Sequence, residues 1–144
     1  NERRLELLEQ FESEANPEPV SLEKILVAFI LPAALLIENH PEFAKLLGRV
    51  HSERLLSEIA KRNFQPMITR FLAALHRALP DFSSTELAWK VHFALGAIAH
   101  ALTAQPELDK NNTTAPATAI ATRLVAFVSN GFRAPATREK EIEV

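Results

Sequence analysis

Leu79-Pro80-Asp81-Phe82-Ser83-Ser84-Thr85-Glu86-Leu87-Ala88-Trp89-Lys90-Val91-His92-Phe93-Ala94-Leu95-Gly96-Ala97-Ile98-Ala99-His100-Ala101-Leu102 is the stretch whose reading decides the fold class. Pro80 stops whatever helix precedes it. Ser83 and Glu86, three residues apart, form a capping box that satisfies orphan backbone donors at a helix start. At about 100° per residue, Leu87, Val91, Leu95, Ile98 and Leu102 make one apolar stripe. Trp89, Phe93, Gly96 and His100 make a second stripe, roughly opposite. A helix apolar on nearly every side is expected to be buried on both. In a chain of 144 residues this means one face against its own domain and the other against a partner.

Outward from this helix, helical periodicity recurs and strand alternation is nearly absent, which predicts an all-α domain of about six helices. Residues 1–14 form a thin amphipathic helix with Leu5, Leu8 and Phe11 on one face, ended by Asn16-Pro17-Glu18-Pro19. Ser21 caps a second helix that runs to about Glu38, with Glu23 near its positive end and Pro32 expected to kink it. Pro41 opens a third, with Phe43, Leu46, Leu47 and Val50 on its apolar side. A fourth runs from about Glu53 to Leu79, with a bend expected at Pro66. The quoted helix is the fifth, extending to about Gln105, where Pro106 stops it. Glu107 to Ala115 reads as a mobile polar loop. The sixth helix starts near Pro116 and ends near Phe132, closed by Gly131 and Pro135. Residues 136–144 read as a flexible charged tail, so the domain proper is 1–135.

The charge and residue inventory excludes several classes of function. With no cysteine, disulfides and thiolate chemistry are out, and a reducing, cytoplasmic setting fits. A formal net charge of −2 leaves no basic footprint for nucleic acid. Glu2, Glu6, Glu9, Glu12, Glu14, Glu18 and Glu23 make the first segments a poor phosphate binder. The longest apolar run, Ile25 to Ile37, is interrupted by Pro32 and falls short of the roughly 20 residues a membrane span needs, so it reads as a buried core helix. The chain starts with Asn1, not Met, and carries no signal-peptide pattern, so it is expected to be a piece of a longer protein or a processed form.

Neither the three glycines nor the five histidines form a catalytic pattern. Gly48, Gly96 and Gly131 lie too far apart to cradle a phosphate. His40, His51, His76, His92 and His100 lack both the di-iron and the helical zinc spacing, and His92 and His100 diverge by roughly 80° on a helix. No serine sits in a nucleophile elbow. No cofactor or metal is expected, and no enzymatic activity. Polar groups in apolar surroundings are the better binding candidates. Arg49 and Arg70 either hold a ligand oxygen, snorkel to the surface or pair with an internal acid. Trp89 and His92 either orient a ligand in a cavity or are satisfied core groups. Phe29, Phe43, Phe64, Phe71, Trp89 and Phe93, with Met67, either line an apolar pocket or simply fill the core.

Several stretches match a known pattern. Phe71-Leu72-Ala73-Ala74-Leu75 leads to Leu79-Pro80, then to Glu86-Leu87-Ala88-Trp89-Lys90-Val91-His92-Phe93-Ala94-Leu95-Gly96-Ala97. Together these resemble the effector-sensing C-terminal half of the TetR family of transcriptional regulators, in a branch that commonly has Arg in place of Lys90. The end of the last helix, Leu124-Val125-Ala126-Phe127-Val128-Ser129-Asn130-Gly131-Phe132-Arg133-Ala134-Pro135, is also similar. Asn1-Glu2-Arg3-Arg4-Leu5-Glu6-Leu7-Leu8 resembles the linker helix that follows the family's DNA-binding domain.

The resemblance implies an all-α homodimer whose last two helices form a four-helix bundle across the interface. Leu95, Gly96 and His100 would contribute from the fifth helix, and Ile120, Leu124, Phe127 and Val128 from the sixth. It also implies a ligand cavity among the middle helices, with Phe29, Phe43, Arg49, Phe64, Met67, Phe71, Trp89, His92 and Phe93 as its candidate lining. Operator DNA would be bound only through an upstream helix-turn-helix domain, which these residues do not include. The implied function is that of a repressor released by a small apolar or amphipathic effector. A free-standing helical carrier for an apolar molecule such as a fatty acyl compound is the alternative. An enzyme using Arg49, His92 or His100 is the third reading. Which stripe of the fifth helix meets the partner stays open, because Gly96, suited to close approach, shares its face with Trp89 and Phe93.

Overall fold

The structure, a computed structural model, describes residues 1–40, 42, 58–103 and 115–136. These residues hold five α-helices and no strand: α1 Glu2–Ala15, α2 Leu22–Asn39, α3 Glu58–Ala78, α4 Ser84–Thr103 and α5 Ala117–Arg133. The expected third helix, most of the loop before Ala115 and the tail after Ala136 lie outside the described residues.

Local chemistry accounts for the helix ends. The Ser21 hydroxyl accepts from the Lys24 N–H at 3.4 Å, and the Ser83 hydroxyl accepts from the Glu86 N–H at 3.2 Å. Pro116 sits at the N-cap of α5, where its missing N–H costs nothing, and the Glu38 carboxylate reaches across from the end of α2 to accept from the Ala117 N–H at 2.8 Å. Pro32 and Pro66 lie inside helices that continue past them. One expected stop is corrected. Gly131 is an ordinary helical residue, and α5 runs on to Arg133. It ends because Ala134 precedes Pro135, which biases that residue away from the helical region; Ala134 sits at φ −55°, ψ 139°.

The hub of the fold is α2, not the quoted helix. It packs on each of the other four helices and most extensively on α5. Ile25, Ala28 and Ile30 are fully buried, with Leu22, Leu26, Ala34 and Ile37 nearly so. The reason is compositional: an almost unbroken aliphatic run has no polar side to turn to water. By contrast α4 (the fifth expected helix) buries only one stripe. Leu87, Ile98 and Leu102 enter the core, whereas Trp89, His92, Phe93 and His100 are exposed. No helix of the described residues is long and apolar enough to cross a membrane.

A buried cation joins α4 to the end of α5. The Lys90 side chain is 8% exposed. Its Nζ donates to the carbonyl oxygens of Gly131 at 3.2 Å and Ala134 at 2.8 Å. It also lies 3.6 Å from the Glu86 carboxylate and 4.7 Å from the centre of the Phe82 ring. A positive charge at a helix C-terminus meets unsatisfied carbonyls and the negative end of the helix dipole. Lys90→Met keeps the apolar stem but removes these bonds. Charged hydrogen bonds are worth about 1.5–3 kcal/mol each, so the substitution should destabilise the chain by about 2–3 kcal/mol. Urea denaturation would read this as a lower midpoint at an unchanged slope, and Lys90→Arg should retain most of the stability.

Candidate functional site: an apolar cavity between three helices

Between α2, α3 and α4, with Phe132 of α5 also on its lining, lies a small cavity of about 50 Å³ that is partly open to the surface. Ile25, Leu26 and Phe29 form one wall, Ile68, Phe71, Leu72 and Leu75 the second, and Val91, Ala94, Leu95 and Ile98 the third. Helical spacing places each set: three- and four-residue steps bring one face of each helix to the same gap. Phe29 and Phe71 meet edge-to-face across it, with ring centres 5.2 Å apart and planes at 78°.

The walls on α2 and α3 are each tied to α1. Arg4 Nε donates to the Phe29 carbonyl at 2.8 Å, and its guanidinium lies 4.5 Å from the centre of the Phe29 ring. Pro32 has no N–H to donate to the Ala28 carbonyl, one residue before the carbonyl that Arg4 engages. Burial holds the Arg4 pKa below its ordinary value. At the other end of α1, Glu12 takes a two-pronged hydrogen bond from Arg70, one prong at 2.9 Å, and a third bond from Arg77 at 2.5 Å. The Arg70 bond is the main reason the Glu12 carboxyl stays below its usual range, against a smaller opposing effect of burial. These arginines line a separate open groove with residues 16–20 and do not enter the apolar cavity.

The Glu12 pair gives a pH dependence of definite sign. A carboxyl depressed in the folded state stabilises it above the unfolded value of about 4.3, and that contribution is lost as pH falls through the folded value. Glu12→Gln should therefore flatten the fall in stability below about pH 4.3, while lowering stability at neutral pH by about 1–3 kcal/mol. Denaturation midpoints measured from pH 3 to 7 check both.

Of the expected lining residues, the structure places Phe29 and Phe71 on the cavity. Met67 is buried and Phe64 half-buried in the core, neither on the cavity wall. Phe43 and Arg49 lie outside the described residues. Trp89, His92 and Phe93 point away from the cavity and pack on one another at the surface, with ring centres 5.7–6.1 Å apart. Three- and four-residue steps group them with each other, opposite Leu87, which faces the core.

The residues expected at the dimer interface divide as well. Leu124 and Val128 are buried in the chain's own core, because α5 turns that side to α2. Leu95 borders the cavity. Ile120 and Gly96 are half-buried, and His100 is exposed. Phe127 stands 71% exposed, Phe93 65% and Trp89 56%.

Sequence reasoning missed Arg4, Glu12 and Lys90. A usable signal existed for two of them. Arg4 falls four residues before Leu8 and seven before Phe11, within the buried stripe of α1, and Lys90 falls three after Leu87 and four before Ala94. The aliphatic walls carry no signal of their own, because an aliphatic side chain on a cavity has the same helical spacing as one in the core.

A scan against protein-family models matches residues 27–131 to the Tetracyclin repressor-like C-terminal domain. The chain belongs to this family. Neither the curated proteins nor the solved structures include a match. TetR-like C-terminal domains are helical parts of transcription regulators, and they generally dimerise and bind small-molecule effectors. The matched span takes in the core of α2, all of α3 and α4, and α5 as far as Gly131, so all cavity walls except Ile25, Leu26 and Phe132 fall inside it.

Proposed function

We propose that this chain is the effector-sensing and dimerisation portion of a TetR-family repressor, released from its operator when a small apolar ligand enters the α2–α3–α4 cavity. Residues 1–135 form the sensing unit, and α1 is the linker to a DNA-binding domain upstream. The observation that carries this reading is the double attachment of α1: Arg4 holds it to the α2 wall through Phe29, and Glu12 holds it to the α3 wall through Arg70 and Arg77. A ligand that changes the separation of those walls moves two anchor points on one short helix.

The mechanism is a population shift. The ligand favours one arrangement of the walls only by its difference in affinity for the two arrangements. In a dimer, a reoriented α1 in each subunit changes the spacing of two reading heads that must meet half-sites about 34–36 Å apart. The test joins this chain to its natural upstream segment and measures operator affinity with and without a cavity ligand. Loss of operator affinity on ligand addition supports the reading; equal affinity in both conditions, with the ligand shown to be bound, rejects it.

A further inference from the structure

Resting on the cavity as the effector site, we infer that the ring of Phe29 is the relay by which an occupant of the cavity reaches α1. This one ring makes three contacts. It lines the cavity. It meets Phe71 of the opposite wall edge-to-face, with ring centres 5.2 Å apart. It also carries the Arg4 guanidinium 4.5 Å from its centre.

The size of the cavity is what makes the ring move. A benzene-sized guest fills a protein cavity of about 150 Å³, and this one holds about 50 Å³. A ligand of that size enters only if wall side chains give way. Ile25, Phe71, Ile98 and Phe132 are locked in the core. Of the lining side chains at its margin, Phe29 is the largest, so turning it outward frees the most room. Staggered rotamer wells make that turn a discrete step.

Arg4 is attached to Phe29 twice, and a ligand acts differently on the two attachments. The carbonyl that accepts from Arg4 Nε at 2.8 Å belongs to the α2 backbone. Helix α5 holds that backbone at both ends: Glu23 pairs with Arg133 at one, and Glu38 accepts from the Ala117 N–H at 2.8 Å at the other. The ring turns about its own side-chain bonds. Its turn takes the aromatic face away from the guanidinium and leaves the carbonyl bond in place. Phe29 therefore acts on α1 through Arg4, as a positioning residue.

Cyclohexane is the probe, because it suits an apolar gap and, unlike an arene, creates no aromatic ring current of its own. It would be titrated into the 144-residue chain at pH 6 with two sets of NMR signals followed. The methyl resonances of Leu72 and Ile98 report occupancy, and the Arg4 Nε–H resonance reports the Phe29 ring beside it. In the unaltered chain both sets should move together, with one Kd. In Phe29→Leu, which keeps an apolar wall and the carbonyl bond, the methyls should still move and the Arg4 resonance should lose most of its movement. Methyl shifts beside a motionless Arg4 resonance overturn the relay and leave the cavity standing as the effector site. An undiminished Arg4 shift in Phe29→Leu also overturns the relay, since the backbone alone would then carry the signal. No methyl shift up to the solubility limit of cyclohexane overturns the cavity as the effector site, and the relay with it. Because the first comparison is made on the unaltered chain, the test stands even if the Phe29 variant fails to fold.

Discussion

Phe127→Glu should turn a dimer at micromolar concentration into a monomer, while leaving the helical content of the chain unchanged. The expectation rests on how the outward faces of α4 and α5 are made. Phe127, Phe93 and Trp89 are the most exposed of the chain's large apolar side chains among the described residues. They add almost nothing to the monomer core, so replacing one costs the fold little. A two-fold interface counts each substitution twice, once per subunit. Losing a buried aromatic ring costs roughly 1.5–3 kcal/mol, and a carboxylate forced into the contact adds more. Doubled by symmetry, that is about 3–6 kcal/mol, a weakening of the dimer by about two to four orders of magnitude. Sedimentation velocity gives the state of association and far-UV circular dichroism the fold.

Gly96→Leu supplies the companion experiment. Gly96 lies on the same outward face as Trp89 and Phe93, and a Cβ added to it meets no atom within 4 Å. The monomer therefore has room for the Cβ, and helix propensity favours leucine over glycine, so a loss of association must come from the partner. Weakened association with undiminished monomer stability places Gly96 at the helix-to-helix approach. A dimer that survives both substitutions, or a wild-type chain that is monomeric at micromolar concentration, rules this face out as the interface.

These predictions depend on resolving a conflict that periodicity leaves open. Two stripes on α4 are legible in the sequence, and so is the fact that each needs something to cover it. Which stripe is which is not legible, because Trp89 and Phe93 are as apolar as Leu87 and Ile98. The packing of α2 decides it. Together with α5, which α4 meets more extensively, its aliphatic run takes the Leu87 stripe and leaves the Trp89–Gly96–His100 stripe outside, so the aromatic residues and the small residue belong to one surface. The helix boundaries were readable because they rest on local chemistry, as Ser21, Ser83 and Pro116 show. At Gly131 the sequence misleads, since a glycine near a helix end suggests a left-handed cap, yet Pro135 does the stopping four residues later. The cavity walls were largely illegible: Leu72 or Ala94 looks like any core residue until three helices are set in place. Long-range polar ties were hardest to foresee, since Glu12 and Arg70 stand 58 residues apart.

Those ties set the second large effect. With this chain joined to its upstream DNA-binding segment, Arg4→Met should reduce the ligand-induced change in operator affinity at least tenfold. Ligand binding to the sensing domain itself should change far less, because Arg4 does not line the cavity. The substitution keeps an unbranched apolar stem but removes both the hydrogen bond to the Phe29 carbonyl and the guanidinium over its ring. Coupling between two sites is typically 1–3 kcal/mol, so losing one of two attachments is enough to erase most of a response of that size. Reciprocity offers an independent reading: operator DNA should weaken ligand binding in the wild type and barely alter it in Arg4→Met. Glu12→Gln tests the other attachment, and the double variant separates two accounts. If α1 is moved as a rigid strut between its anchors, either single substitution removes most of the coupling and the double removes little more. If each anchor transmits on its own, the two losses add. Coupling at the wild-type level in the double variant would mean that α1 responds to the cavity through its buried Leu8 and half-buried Phe11 alone, and that the polar anchors serve only stability.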